Sequence, residues 1–169
     1  MAQQQILEYP DPRLNLVSAP VTVFDDALGQ LVDDLLETLY ATSGIGLCAP
    51  QIGVQQRVLV MDLSEDHSDP HVFINPEILN LATPCMVEES CLSVPDYAGV
   101  IRRNADARVR FNDRHGESLE RDLSGMSAVC LQHEIDHLDG KLFVENLSFL
   151  KRLFFNATAA KRLRKAANQ

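Results

Sequence analysis

The stretch SGMSAVCLQHEIDHLDG, residues 124 to 140, combines a helical spacing of apolar side chains with two histidines. Five of its residues each lie three or four positions from another member of the set, so they share one face of a helix: Met126, Val129, Cys130, His133 and His137. Gly140 is a typical residue for the end of such a helix. The pattern predicts a buried helix whose histidines extend its apolar face.

The same stretch indicates a metal site. Histidines four residues apart project from one face at a separation that lets both imidazoles bind one divalent ion, and His133 and His137 meet this condition. Glu134 follows the first histidine, where a carboxylate can take a proton from water at the metal. A charged helix can carry such a pattern by chance, so the assignment depends on a further ligand.

A catalytic metal site usually has three protein ligands and one water. After His137 the chain offers only Asp139, which is too close on the helix, and Glu145. Phe143 stands where the extended pattern of one class of peptidase needs a histidine. We therefore expect the third ligand upstream, and spacing alone gives only a modest preference to the first of these thiols: Cys91, Cys48 and Cys85.

The rest of the sequence predicts one domain, residues 1–169, of the α+β class. Residues 25–42 have the spacing of an amphipathic helix that begins at Asp25 or Asp26. We expect antiparallel sheets packed around a central HExxH helix, with a C-terminal helix after it. Strand patterns occupy these ranges, the last of them as a hairpin: 57–63, 71–76, 77–82 and 107–120.

Charge is unevenly distributed along the chain. The formal net charge of −9 argues against general binding to DNA or RNA. The segment from Ser148 onward differs, because it contains no acidic residue, and it predicts a basic C-terminal helix at about 149–167. This helix has two interpretations, a solvated terminal helix or a contact with ribosomal RNA. Its basic residues are Lys151, Arg152, Lys161, Arg162, Arg164 and Lys165.

The sequence favours a cytoplasmic protein. No run approaches the roughly 18 apolar residues of a membrane span, and the first residues lack the features of a signal or transit peptide. Four cysteines without an export signal argue for reduced thiols or metal ligands rather than disulfides. We expect no membrane partner.

Three stretches, in this order and separation, resemble the peptide deformylase family: GIGLCAPQ (44–51), ESCLS (89–93) and QHEIDH (132–137). DPRL near the start and INPEI in the strand region are also similar to that family, so the resemblance extends over nearly the whole chain. It implies a hydrolase that removes the formyl group from the N-terminal formylmethionine of newly made proteins and releases formate. Nascent N-formylmethionyl polypeptides are then the expected substrates.

The resemblance also implies the roles of the site residues. Cys91, His133 and His137 are then the metal ligands, and Glu134 is the general acid and base. A divalent ion lowers the pKa of its water toward ~7, which supplies a nucleophile near neutral pH.

Further catalytic and supporting roles follow from the same resemblance. The side chain of Gln51 and the backbone N–H of Leu92 are expected to stabilise the oxyanion. Asp136 is expected to pair with Arg103 and brace the helix, although a surface ion pair of little value is the alternative.

The substrate contacts are the least specific part of the resemblance. Gly44, Ile45 and Gly46 are expected to form a strand edge with which the substrate backbone pairs. Core packing remains an alternative role for Met126 and Val129. The candidates for the methionine pocket are Ile45, Val87, Met126, Val129 and Cys130.

Two residues depart from the family pattern. Cys48 stands in place of an alanine, which is a small change, and Ser90 stands in place of the glycine before Cys91. Because a glycine can supply an unusual backbone torsion or room for a substrate, Ser90 bears on turnover and substrate range. It is the feature that favours an alternative, a metal-binding paralogue that binds N-terminal peptides or ribosomes without catalysis. A metallopeptidase is disfavoured by the missing downstream ligand.

The metal is only partly defined by these ligands. One thiolate and two imidazoles suit Zn²⁺, Fe²⁺, Ni²⁺ or Co²⁺, and affinity order alone favours zinc over iron. The resemblance implies Fe²⁺ in the cell, with another of these ions as a substitute after purification.

Overall fold

The computed structural model describes residues 3–147, 150–153 and 155 of the 169-residue chain. Most of the predicted basic helix at 149–167 lies outside these residues, although 150–153 and 155 have helical backbone. Among the described residues, no helix is long and apolar enough to cross a membrane. Within residues 3–147, two α-helices and five strands occur, which are, in chain order, α1 (Asp26–Tyr40), β1 (Gly46–Cys48), β2 (Val58–Met61), β3 (His71–Cys91), β4 (Val94–Asn112), β5 (Ser118–Ser124) and α2 (Met126–Leu138).

The strands form one antiparallel sheet in the order β1-β2-β3-β4-β5. The predicted α+β class with antiparallel strands is therefore confirmed, as is the hairpin at 107–120, where β4 ends and β5 begins. The prediction of more than one sheet is wrong, and so is the division of 71–82 into two strands. Pro76 cannot donate a ladder hydrogen bond, and the register shifts between Ile74 and Glu77 there, but the strand continues.

Helix α1 covers one face of the sheet. It begins as predicted, with the side chain of Asp25 accepting a hydrogen bond from the N–H of Leu28 at 3.1 Å. Each fully buried leucine or valine contributes roughly 1.5–3 kcal/mol to stability. The apolar side chains of α1 pack with those of β1 and β2 in one core cluster that includes Leu28, Val32, Leu35, Leu39, Leu47, Val58 and Val60.

Helix α2 lies against the opposite face. Side chains alternate along β2, so Val58 and Val60 pack with α1 whereas Leu59 and Met61 pack with α2. Because both faces of β2 are buried, all four residues of this strand are apolar. The α2 cluster includes Leu59, Met61, Phe73, Val109, Phe111, Cys130, Leu131, Ile135 and Leu138.

Glycine is required just after α2. Gly140 has a φ of +71°, a backbone conformation that residues with a side chain rarely adopt. A Cβ at this position would lie 2.7 Å from the carbonyl oxygen of Asn15. The chain therefore turns closely past the N-terminal segment. This contact helps to fix α2 beneath the end of β3, where the polar side chains of the candidate site meet.

Candidate metal centre and active site

Three side chains converge where β3 ends above α2. One ligand atom each of Cys91, His133 and His137 lies within 4.8 Å of the others, and the group could hold a metal ion. Cys91 ends β3, and its Sγ is 3.1 Å from Nε2 of His137. Of the three thiols that spacing left open, the structure brings Cys91 into this group, whereas Cys48 and Cys85 lie outside it.

The donor set fits a divalent transition metal. A thiolate and two imidazoles are ligands that Zn²⁺ and related ions prefer, and three protein ligands leave one position for water. Burial lowers the pKa of His137 well below its usual value, which keeps the imidazole neutral as a ligand must be. Burial also acts to lower the pKa of His133, but hydrogen bonds to Cys91 and Glu89 outweigh it and hold that pKa well above its usual value.

A buried ion-pair network supports His133 from behind. Oε2 of Glu89 is 2.7 Å from Nδ1 of His133, which leaves Nε2 of that ring to face the other ligands. Arg103 donates from Nε to Glu89 at 2.7 Å, from Nη2 to the same carboxylate at 3.2 Å and from Nη1 to Asp136 at 2.7 Å. Arg103 is only 7% exposed. The contact of Arg103 with Asp136 thus joins a buried network, and the side chain of Asp136 itself is 20% exposed.

Sequence reasoning missed Glu89. A signal for it was present, since Glu89 and Cys91 are two residues apart on β3 and therefore face the same side of the sheet. Burial acts to raise the pKa of Glu89, but hydrogen bonds from His133 and Arg103 outweigh it and lower that pKa below its usual value. Glu89 is therefore ionised and orients the His133 ring.

Glu134 is a buried carboxylate beside the ligands. Its Oε2 has no hydrogen-bond partner among residues 3–147, 150–153 and 155. Burial is the largest influence on its pKa and raises it above the usual value. A Cβ on Gly46 would lie 2.7 Å from Oε1 of Glu134 and 2.6 Å from Sγ of Cys130. The absence of a side chain at Gly46 therefore allows β1 to lie directly against the helix that carries Glu134.

The amide of Gln51 has a defined orientation. Its Oε1 accepts hydrogen bonds from the backbone N–H of Cys48 at 2.9 Å and from the Cys48 thiol at 3.1 Å. Its Nε2 donates to Oγ of Ser93 at 3.2 Å and lies 3.8 Å from Sγ of Cys91. The donor end of Gln51 therefore points toward Cys91, one of the three candidate ligands. Cys48 thus acts on this amide rather than on a metal.

A cavity of about 410 Å³ opens beside these groups. Met126 is 51% exposed at its edge, so core packing does not explain this residue, whereas Val129 and Cys130 are buried. Val87 does not line the cavity. The lining also includes residues that sequence reasoning did not identify, namely Ser43, Glu88 and Pro95. The expected residues that do line it are Gly44, Ile45, Gly46, Gln51, Ser90, Cys91, Leu92, Met126, Val129, Cys130, His133 and Glu134.

Comparison with known proteins agrees with this geometry. The polypeptide deformylase family model matches residues 3–153. A peptide deformylase of Hahella chejuensis is 53% identical over 153 residues, which cover 90% of this chain and 91% of that protein. A peptide deformylase of Pseudomonas aeruginosa is 52% identical over the same length, with the same coverage of both proteins.

Solved structures give the same result. The crystal structure of a peptide deformylase from Legionella pneumophila has a TM-score of 0.91 and 42% identity, and the match covers 99% of both chains. The Ehrlichia chaffeensis enzyme in complex with actinonin has a TM-score of 0.89 and 38% identity, and the match covers 96% of this chain and 98% of that one. These likenesses do not support the alternative of a non-catalytic paralogue. The chain belongs to the polypeptide deformylase family, metal-dependent hydrolases that remove the N-terminal formyl group from newly made proteins.

Proposed function

We propose that Cys91, His133 and His137 hold the divalent ion on which deformylation by this chain depends. The observation that carries the proposal is the convergence of their three ligand atoms within 4.8 Å, next to the buried carboxylate of Glu134. When bound, such an ion lowers the pKa of water toward ~7 and polarises the carbonyl oxygen of the substrate. The protein residues supply the remaining functions.

Glu134 is the general base and then the general acid. Its raised pKa, caused mainly by burial, brings it closer to neutral pH, where proton transfer in both directions is efficient. The carboxylate takes a proton from the attacking water as the new C–O bond forms at the formyl carbon. It then gives that proton to the methionine nitrogen as the C–N bond breaks, so the products are formate and a free N-terminal amine.

The oxyanion is stabilised by Gln51 and by the backbone N–H of Leu92. Both residues line the cavity, and the hydrogen bonds of Cys48 to Oε1 of Gln51 direct its Nε2 donors toward the site. A donor that is held in place before the reaction needs no reorientation as charge develops. Loss of one such donor typically lowers the rate by ~10²-fold or more.

The substrate backbone pairs with the edge at Gly44, Ile45 and Gly46, next to β1. Ser90 also lines the cavity, and it is the residue that bears on substrate range. Val87 is left out of the methionine pocket because it does not line the cavity. The pocket consists of Ile45, Met126, Val129 and Cys130.

Residues 1–169 form a single catalytic domain whose central metal-bearing element is α2. Inside the cell the ion is Fe²⁺, which the family resemblance implies, and Zn²⁺, Ni²⁺ or Co²⁺ can occupy the same thiolate and imidazole ligands after purification. Oxidation of the iron or of the Cys91 thiolate is then the route to inactivation.

The cytoplasmic ribosome is the site of action, and the basic segment 149–169 contacts ribosomal RNA there. The six basic residues of this segment, without an acidic one, contrast with the acidic remainder of the chain. Binding through phosphates predicts a strong dependence on salt. Truncation after residue 155 keeps the buried Phe155 in the core cluster that includes Cys91, and it removes Lys161, Arg162, Arg164 and Lys165. This truncation should abolish salt-sensitive ribosome binding and leave formate release from a short peptide intact. Ribosome binding that survives this truncation would contradict the proposal.

The first experiment measures formate release from formyl-Met-Ala-Ser by the anaerobically purified, Fe²⁺-loaded protein. Glu134→Gln is the matched variant, since it keeps the shape of the side chain but cannot accept the proton. We expect release by the wild type, no measurable release by Glu134→Gln, and one bound metal per chain in both. Normal turnover by Glu134→Gln would contradict the role of Glu134. Wild-type metal content in His133→Ala would contradict the ligand assignment.

A further inference from the structure

Gln132 is a buried side chain next to His133 that the proposed chemistry does not use. It is 5% exposed. Its Oε1 accepts a hydrogen bond from the backbone N–H of Asn104 at 3.1 Å, and its Nε2 donates to the carbonyl oxygens of Asn104 at 2.7 Å and Ala128 at 2.8 Å. Both protons of the amide nitrogen are therefore used. The amide has one orientation, and a side chain that only filled space would not need these three bonds.

The carbonyl oxygen of Asn104 gains a donor from Gln132 that its paired residue cannot supply. Asn104 lies on β4, and the paired residue on β3 is Pro84, which has no N–H to donate. On the other side of β4, the pairing with β5 begins only at Asp106. The side-chain amide of Gln132 makes two bonds with the N–H and C=O of Asn104, as a residue of a neighbouring strand would. It thereby fixes the position of α2 along β4.

These bonds belong to a closed ring. Gln132 is covalently joined to His133, and Asn104 is joined to Arg103. Arg103 donates to Glu89, and Glu89 contacts Nδ1 of His133 at 2.7 Å. The ring therefore closes through Gln132, Asn104, Arg103, Glu89 and His133. A shift of α2 along β4 would break the contact between His133 and Glu89, because both ends of that contact depend on the same register.

We infer that Gln132 is a positioning residue for the metal centre. By anchoring α2 to Asn104, Gln132 sets the position along β4 at which His133 contacts Glu89. This contact directs Nε2 of His133 toward Cys91 and His137. The inference rests on the proposed ligand set. Residues that orient a metal-bound histidine typically change metal affinity or activity by about 10 to 100-fold when they are replaced.

Asn75 provides a matched control. Its side chain also binds the backbone of one residue twice, accepting from the N–H of Val21 at 2.8 Å and donating to the carbonyl of Val21 at 2.9 Å. Asn75 does not line the cavity that contains the ligands. Asn75→Asp and Gln132→Glu both replace an amide by a carboxylate of the same shape and remove the donor to a backbone carbonyl. The two variants differ in the segment that the amide anchors. Gln132 anchors α2, which carries two of the proposed metal ligands, whereas Asn75 anchors the segment at Val21, which carries none.

The test uses the Zn²⁺-loaded full-length protein and competition with a chelator, together with the absorption spectrum of the Co²⁺-substituted protein. We expect Gln132→Glu and the uncharged, similarly sized Gln132→Met to bind Zn²⁺ about 10 to 100-fold more weakly and to change the Co²⁺ bands. Asn75→Asp should lower the melting temperature but leave Zn²⁺ affinity within about twofold, as expected for a distant site.

Two outcomes would overturn the inference. One is a wild-type Zn²⁺ affinity and Co²⁺ spectrum in either folded Gln132 variant. The other is an equal loss of affinity in Asn75→Asp, which would indicate general loosening of the fold. His133→Ala tests the ligand set separately, since retained Zn²⁺ affinity there would contradict the proposed metal site itself.

Discussion

Replacement of Arg103 by methionine tests how the network behind His133 stabilises the protein. Methionine keeps much of the aliphatic volume of arginine but removes the guanidinium. Three charge-assisted hydrogen bonds are lost, two to Glu89 at 2.7 and 3.2 Å and one to Asp136 at 2.7 Å. Glu89, itself 6% exposed, remains buried without its cation.

The expected cost follows from that unpaired charge. Removing one partner of a buried ion pair typically destabilises a protein by about 3–5 kcal/mol, whereas an exposed pair contributes about 0–1 kcal/mol. Arg110→Met is the matched control, because Arg110 also binds carboxylates, those of Glu120 and Glu77, but its side chain is 48% exposed. We therefore expect Arg103→Met to lose about 3–5 kcal/mol of unfolding free energy and Arg110→Met less than about 1 kcal/mol.

The assay is urea unfolding at pH 7 with Zn²⁺ held at one saturating concentration, because bound metal contributes to apparent stability. The chain contains no tryptophan, so circular dichroism is the suitable signal. Equal losses for Arg103→Met and Arg110→Met would refute the argument from burial. A large loss in Arg103→Met with an unchanged denaturant slope would support it, since the slope reports the surface exposed on unfolding.

The remaining predictions concern the active site and the response to acid. Gly46→Ala should lower kcat/KM by roughly 10²-fold with metal retained. The reason is that the added Cβ would lie 2.6 Å from Sγ of Cys130 and 2.7 Å from Oε1 of Glu134. Unchanged kinetics would show that β1 can shift without an effect on catalysis. Gln51→Leu should lower kcat by ~10²-fold or more while metal analysis gives wild-type content, and full activity would remove Gln51 from the mechanism. Burial acts to raise the pKa of Asp62, but hydrogen bonds from Ser64 and Tyr40 outweigh this effect and lower the pKa below its usual value of 3.8. Asp62 is therefore ionised near neutral pH. Its contribution is thus present above pH 3.8 and lost as the pH falls through the lowered value. Asp62→Asn should therefore be less stable than the wild type at pH 7 but lose less stability between pH 4 and acid, and parallel stability curves for the two proteins would contradict this.

Local periodicity explains what could be predicted. The steps of three and four that place His133 and His137 on one helix face require only the geometry of a single helix, and the cap at Asp25 is equally local. The choice of Cys91 over Cys48 and Cys85 was different. Spacing alone did not decide it, because the ligand comes from β3, far from α2 in sequence, and the family resemblance was needed.

The contacts around His133 depended on tertiary structure. Glu89, Arg103 and Asn104 meet α2 only after β3 and β4 pair in one register, and a shift of one residue would turn their side chains to the other face of the sheet. The pairing of β1 with β2 and the packing of α2 on the sheet place Gly46 against Glu134.

The sequence by itself determined the chemistry that this protein can perform, since the thiol, the two imidazoles, the carboxylate and the amide are residue types with fixed reactivity, and their local spacing is set by helix and strand geometry. The tertiary structure brings Cys91 to the imidazoles, as the family resemblance implied, and only the tertiary structure decided which carboxylate orients His133 and how the Gln51 amide is turned. The physical reason is that hydrogen bonds and burial, which set orientation and pKa, arise between segments that are distant in sequence and become neighbours only when the sheet and α2 pack together.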